Sequence, residues 1–217
     1  MQRMKYKAVI WDFDGTLFNT YPVMVKAFKE ALAKRGYLEA EEQILKHMKV
    51  SVREAINHYS ALYNLDKDFP LDYVRGEENV KASEALPFPF AREVCQGIIA
   101  SGGQSFIVTH RSRISTEKYL MEHNMMSLFT EIVGKENGFK RKPDPGAYHY
   151  ILNKYSLGKE EVLIVGDREF EAKAAEIAGI HCCLFDSNNV LRITKTEYYI
   201  KELSELMKIL YPVETLE

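Results

Sequence analysis

The segment Leu86-Pro87-Phe88-Pro89-Phe90 separates two stretches of different periodicity, and this break limits the possible folds more than any other feature. Each proline fixes its own φ and biases the residue before it toward extended backbone, so the segment reads as a rigid connector. Downstream, short apolar runs alternate with helical ones. Strands are expected at Ser105–Thr109, Glu131–Val133, Val162–Val165 and Cys182–Phe185, with a further extended piece near Tyr198–Ile200. Helices are expected at Ala91–Ala100, Ser115–His123, Pro145–Tyr155, Glu169–Ala178 and Glu202–Leu210. Such alternation implies a parallel sheet with helices on both faces. Upstream, Ala8–Trp11 is one more buried strand. Residues 19–85 differ. Their apolar positions follow helical spacing at Tyr21–Arg35, Glu41–Met48, Val52–Tyr63 (capped by Ser51) and Phe69–Glu84, with no alternating β-branched run. The expected organisation is an α/β core, residues 1–18 and 86–217, with an all-helical insertion, residues 19–85, after the first strand.

Composition narrows the function classes. The 217 residues are 46% hydrophobic and 28% charged, ordinary for a soluble globular chain. A net charge of -2 and a pI near 6.3 provide no general attraction to nucleic acid or acidic membranes. No apolar run approaches the ~20 residues of a membrane span. The N-terminus lacks a signal-peptide core and cleavage site, so the cytoplasm is the expected compartment. Cys95, Cys182 and Cys183 form neither a disulfide framework nor a zinc pattern.

In sheets of this kind ligands bind beyond the carboxyl ends of the strands, where strand order reverses. Asp12 and Asp14 follow the first strand. Thr109, His110 and Arg111 end the second, and Lys140-Arg141-Lys142-Pro143-Asp144-Pro145 comes after the third. Gly166-Asp167, then Glu169 and Glu171, follow the fourth. Side chains at i and i+2 of a strand leave on one side, so Asp12 and Asp14 converge if strand geometry persists. Two carboxylates that close favour a cation or a shared proton. Simpler readings of this stretch are a hairpin turn at Asp14-Gly15 or a helix cap at Asp14. A calcium loop is excluded by Leu17 at its sixth position and Val23 at its twelfth.

Four motifs in order resemble those of the haloacid dehalogenase superfamily, in its phosphatase branch with a helical cap. They are Asp12-Phe13-Asp14-Gly15-Thr16-Leu17, Phe106-Ile107-Val108-Thr109, Lys142-Pro143-Asp144-Pro145, and Leu163-Ile164-Val165-Gly166-Asp167 with Glu171 four residues on. The resemblance implies a Rossmann-like core of strand order 5-4-1-2-3 and makes residues 19–85 the cap. It implies Asp12 as nucleophile, forming an aspartyl-phosphate, and Asp14 as general acid and then base. Members that remove halide lack the second acid, so Asp14 favours phosphoryl transfer. Thr109, His110 and Lys142 would bind the phosphate. Asp12, Asp167 and the main-chain carbonyl of Asp14 would hold Mg²⁺. The implied activity is hydrolysis of a small phosphorylated metabolite by a monomer or homodimer. A sugar-phosphate mutase and a non-catalytic phosphate-binding protein are the alternatives.

Three positions depart from the family pattern. His110 replaces the usual Asn, Arg168 replaces a small residue, and Glu171 replaces an Asp. Glu171 is one methylene longer, which suits it to a metal-bound water or to Lys142. Arg168 either neutralises a nearby acid and weakens metal binding or points away. In the cap, Tyr37, Lys46, His47, Lys49 and Arg53 are candidates for a second anionic group, and cap closure would exclude water.

Overall fold

A computed structural model describes residues 4–187 and 196–212. The chain divides into two compact units, Asn19–Leu86 and the remainder. The helical unit holds α1 (Tyr21–Ala33), α2 (Glu41–Val50), α3 (Val52–Tyr63) and α4 (Phe69–Glu78), which follow β1 (Ala8–Trp11) in the chain. Its core forms around Phe28 of α1. That ring meets Tyr59, Phe69 and Tyr73 edge-on, at centroid distances of 5.5, 5.1 and 5.4 Å, geometries that suit the ring quadrupole. The Asn19 amide donates to the Leu86 carbonyl at 2.9 Å and ties the ends of this unit together. Helix α4 is shorter than its spacing suggests. It stops at Glu78, where Asn79 and β-branched Val80 are poor helix formers, and a separate 3₁₀ turn, Ala82–Glu84, follows.

The second unit continues with α5 (Ala91–Ala100), β2 (Gln104–Val108), α6 (Arg113–Glu122), β3 (Glu131–Val133), α7 (Gly146–Tyr155) and β4 (Val162–Gly166). It ends with α8 (Glu169–Ala178), β5 (His181–Phe185), β6 (Tyr198–Ile200) and α9 (Leu206–Leu210). The strands form one parallel sheet of order β3-β2-β1-β4-β5-β6. This is the 5-4-1-2-3 order viewed from the opposite edge, with β6 added beside β5. The last helix begins later than its apolar pattern suggests. Glu205 Oε1 accepts the Lys201 and Glu202 amides, so the chain enters α9 through a 3₁₀ turn, Leu203–Glu205.

Every residue of β1 is fully buried. Ala8 and Ile10 join a cluster with Phe106, Ile164, Tyr148 and Ile151, while Val9 and Trp11 leave on the other face. Burying a side chain such as Ile10 contributes about 1.5–3 kcal/mol. On α8, Ala172, Ala175 and Ala178 present small side chains to this cluster. The register aligns the strand ends: Trp11 lies opposite Ile107 of β2 and Val165 of β4. The residues just past these three strands therefore share one end of the sheet, and the Asp12 amide still donates to the Val165 carbonyl at 2.8 Å.

Candidate active site

At that end of the sheet five charged side chains meet out of solvent. Asp12 follows β1, Asp167 follows β4, Arg168 caps α8, Glu171 sits in the first turn of α8, and Lys142 precedes α7. Lys142 Nζ donates to Asp12 Oδ1 at 2.6 Å and to Glu171 Oε1 at 3.0 Å. Arg168 Nη2 donates to Glu171 Oε1 at 3.3 Å and stands 3.6 Å from Asp12 Oδ2. Its Nε lies 3.7 Å from Asp167 Oδ1. Glu171 also accepts the Arg168 amide at 3.2 Å, closing the N-terminus of α8 on itself. All but Arg168 have side chains exposed by 3% or less.

Gly166 makes room for this arrangement. A Cβ there would lie 2.2 Å from Glu171 Cγ and 2.7 Å from its Cβ, atoms fixed to the start of α8. Gly166→Ala is expected to cost about 3 kcal/mol through overpacking, measured as a lower midpoint in urea denaturation.

Burial sets the protonation pattern. It pushes the Asp12 carboxyl up to about 7, against the opposing pull of Lys142 and, less, of Arg168. Glu171 is equally buried, yet the charges of Lys142 and Arg168 outweigh desolvation and hold it at about 2. Lys142 resists desolvation because Asp12 faces it, and it stays protonated. His110 is driven down to about 3, first by burial and then by Lys142 and Arg141. Its neutral ring accepts the Lys142 amide on Nε2 at 3.0 Å, and Arg141 Nη2 lies 3.1 Å from Nδ1.

With every carboxyl ionised, three acids against two cations leave the cluster one negative charge in excess. Among the described residues Asp12 Oδ2 is buried and accepts no hydrogen bond. Hard carboxylate oxygens in such a setting fit the donor chemistry of Mg²⁺. Residues 9–185 match the family model of haloacid dehalogenase-like hydrolases. The chain belongs to that family. It is 25% identical over 187 residues to a phosphoglycolate phosphatase of Aliivibrio fischeri, covering 81% of this chain and 82% of the relative. A phosphoglycolate phosphatase of Nitrosospira multiformis is 27% identical over 184 residues, 81% of each chain. Among solved structures, a hydrolase from Streptococcus pneumoniae TIGR4 shares 27% identity and a TM-score of 0.64, over 95% of this chain and 99% of that one.

In this haloacid dehalogenase-like hydrolase the two acids of the first motif take different partners. Strand β1 ends at Trp11, and Gly15, at φ +80°, turns the chain so that its amide reaches the Phe18 carbonyl at 2.8 Å. Strand alternation therefore does not extend to Asp14. Arg111 holds Asp14 instead, through Nη2 at 2.7 Å and Nε at 3.0 Å to Oδ1. The buried guanidinium also donates to Ser115 Oγ at 2.9 Å and lies near the Phe13 and Tyr119 rings. Thr109 Oγ1 accepts the Arg111 amide at 3.1 Å, which places Thr109 in the same network. Lys142, Asp12, Asp167 and Glu171 thus form one buried cluster, and Asp14 and Thr109 belong to an adjoining one organised by Arg111. Sequence reasoning gave Arg111 no role. Its one visible signal was a cation two residues beyond Thr109.

Helix α7 begins one residue later than its motif suggests. Pro145 occupies the cap position, and Asp144 Oδ1 accepts the Gly146 amide at 2.9 Å. Beside Thr109, His110 and Lys142 lies a cavity of about 200 Å³ whose wall includes Lys135, Lys140 and Arg141. Three of the candidate anion-binding residues of the helical unit are engaged within that unit. Tyr37 stacks on Tyr63 at 4.0 Å, Lys49 Nζ lies 4.2 Å from the Tyr21 ring centroid, and His47 pairs with Glu54. Lys46 and Arg53 are exposed on α2 and α3.

Proposed function

We propose that this hydrolase releases phosphate from a small phosphorylated metabolite through Asp12, with Mg²⁺ as its cofactor. The observation that carries the reading is the buried cluster of Asp12, Lys142, Glu171 and Asp167 at the aligned ends of β1 and β4. The reaction class is phosphoric monoester hydrolysis. A substrate with a second acidic group is favoured by the basic wall of the cavity beside Thr109, and phosphoglycolate, which gives the curated relatives their name, is the first compound to test. Residues 19–85 serve as the cap that selects the substrate. No helix of the described residues is long and apolar enough to cross a membrane. We place the protein in the cytoplasm, where its three buried, unpaired cysteines stay reduced.

Asp12, Asp167 and the main-chain carbonyl of Asp14 would hold the ion. Bound there, Mg²⁺ screens the repulsion between the nucleophile and the phosphate. The remaining steps belong to the chain. Lys142 fixes the Asp12 carboxylate and supplies positive charge to the phosphoryl oxygens. An Asp12 oxygen bonds to phosphorus as the ester oxygen departs, and Asp14 gives that oxygen a proton. Asp14 then takes a proton from water as the water oxygen displaces Asp12 from phosphorus, releasing phosphate and restoring the carboxylate. Arg111 sets the direction in which Asp14 faces.

The test is phosphate release from a panel of small phosphomonoesters with and without Mg²⁺. Mg²⁺-dependent release is expected, with loss on chelation and recovery on adding the ion back. Interconversion of sugar-phosphate isomers without net release would assign a mutase instead, and binding of a phosphate mimic with no turnover would assign a binding protein.

Arg168 stands within 3.7 Å of both carboxylates proposed to hold the ion and competes with it for their charge. Arg168→Ser is expected to tighten Mg²⁺ binding about tenfold, read by titration calorimetry. Unchanged affinity would show that the arginine swings clear when the ion binds.

A further inference from the structure

We propose that His47, Glu54 and His58 form a binding site for a first-row transition-metal ion in the helical unit, separate from the carboxylate cluster after β1. Each residue offers a ligand atom, and the three atoms lie within 4.8 Å of one another. Two nitrogens and a carboxylate oxygen are the donor set that zinc accepts while keeping one position open. They suit Zn²⁺, Cu²⁺ or Ni²⁺ better than Mg²⁺, which prefers oxygen ligands.

The backbone brings these residues together. Ser51 is the single residue between α2 and α3. Its amide donates to the His47 carbonyl at 3.1 Å, and its hydroxyl accepts the Glu54 amide at 2.9 Å. One residue therefore ties the last turn of α2, with His47, to the first turn of α3, with Glu54. His58 is four residues beyond Glu54, so both lie on one face of α3. His47 Nδ1 is 3.0 Å from each Glu54 carboxylate oxygen. Two ligands at ~2.0 Å from a tetrahedral ion are themselves ~3.3 Å apart, so this pair needs to open by only a few tenths of an ångström. The His58 ring stacks on His47 at 3.8 Å with planes 20° apart. Coordination in the ring plane requires the His58 side chain to turn out of that stack. The simpler alternative is a proton shared between His47 and Glu54, and the experiment separates the two.

The test uses the tag-free full chain in excess Mg²⁺, which keeps the carboxylate cluster occupied. Zn²⁺ titration by calorimetry should show one equivalent bound, and Co²⁺ should give visible ligand-field bands. His47→Gln and His58→Gln should each weaken Zn²⁺ binding at least ~100-fold, since even partners behind a ligand are worth ~10–100-fold. Zn²⁺ should also raise the melting temperature of the parent and not of the variants. Independently of the variants, Zn²⁺ should shift the ring NMR signals of His47 and His58 in the parent protein. The proposal is overturned if the parent binds Zn²⁺ no more tightly than a folded His47→Gln/His58→Gln double variant, or if those ring signals do not move.

Discussion

Asp12→Asn is expected to lower kcat by about 10⁴-fold or more, because removing a nucleophile removes the covalent route itself. The fold should survive. Asn is nearly isosteric, and its carbonyl oxygen can still accept from Lys142 Nζ, which donates to Asp12 Oδ1 at 2.6 Å. Stability should move in the opposite direction from activity. Burial already opposes ionisation of Asp12 and pushes its carboxyl up to about 7. Replacing it with a neutral amide leaves two acids, Asp167 and Glu171, against two cations, Lys142 and Arg168. Without Mg²⁺, the variant should therefore melt at or above the parent temperature, a trade of stability for activity that reactive sites often show. Phosphate-release kinetics and a thermal melt on the same preparation test both halves. Activity in Asp12→Asn equal to the parent would end the proposed mechanism.

Lys142→Ala should damage both properties. The lysine hydrogen-bonds both Asp12 and Glu171, with a side chain 3% exposed. Its removal leaves the buried carboxylates of Asp12 and Glu171 to share Arg168. Breaking a buried pair from one side typically costs about 3–5 kcal/mol, mostly as the penalty on the charge left behind. Activity should fall by at least ~10²-fold, the scale for losing one electrostatic contact to a transition state. Urea denaturation and steady-state kinetics would separate the two effects. Lys142→Arg is the informative companion. It keeps the charge but brings a larger planar group into a closed site, so it should recover part of the stability and little of the rate. A Lys142→Ala variant with parental stability would show that the carboxylates find other compensation, against the electrostatic account of the cluster.

The two unit types were legible because periodicity is local. The run Ala8–Trp11 is buried on both faces, so it is apolar throughout, whereas Val52–Tyr63 buries only Ala55 and Tyr59 on one stripe. The prolines at 87 and 89 mark the change with backbone constraints that no distant contact is needed to interpret. The ends of elements were less legible. At Leu203 the helix type depends on Glu205 accepting the Lys201 and Glu202 amides, and hydrophobic spacing does not report such contacts.

Residue order alone was enough to put Asp12, Thr109, Lys142 and Asp167 at strand or helix ends, because strand–helix alternation determines which ends carry loops. Which charge meets which was a three-dimensional outcome. That Asp14 faces Arg111, 97 residues away, follows from the level register of β1 and β2 and from the turn at Gly15. That Glu171 meets Lys142, 29 residues away, follows from the bare Cα of Gly166. Electrostatic partners are chosen by separations of a few ångströms, and only packing sets those separations. Helical and strand periods repeat every few residues and can be read along the chain without it.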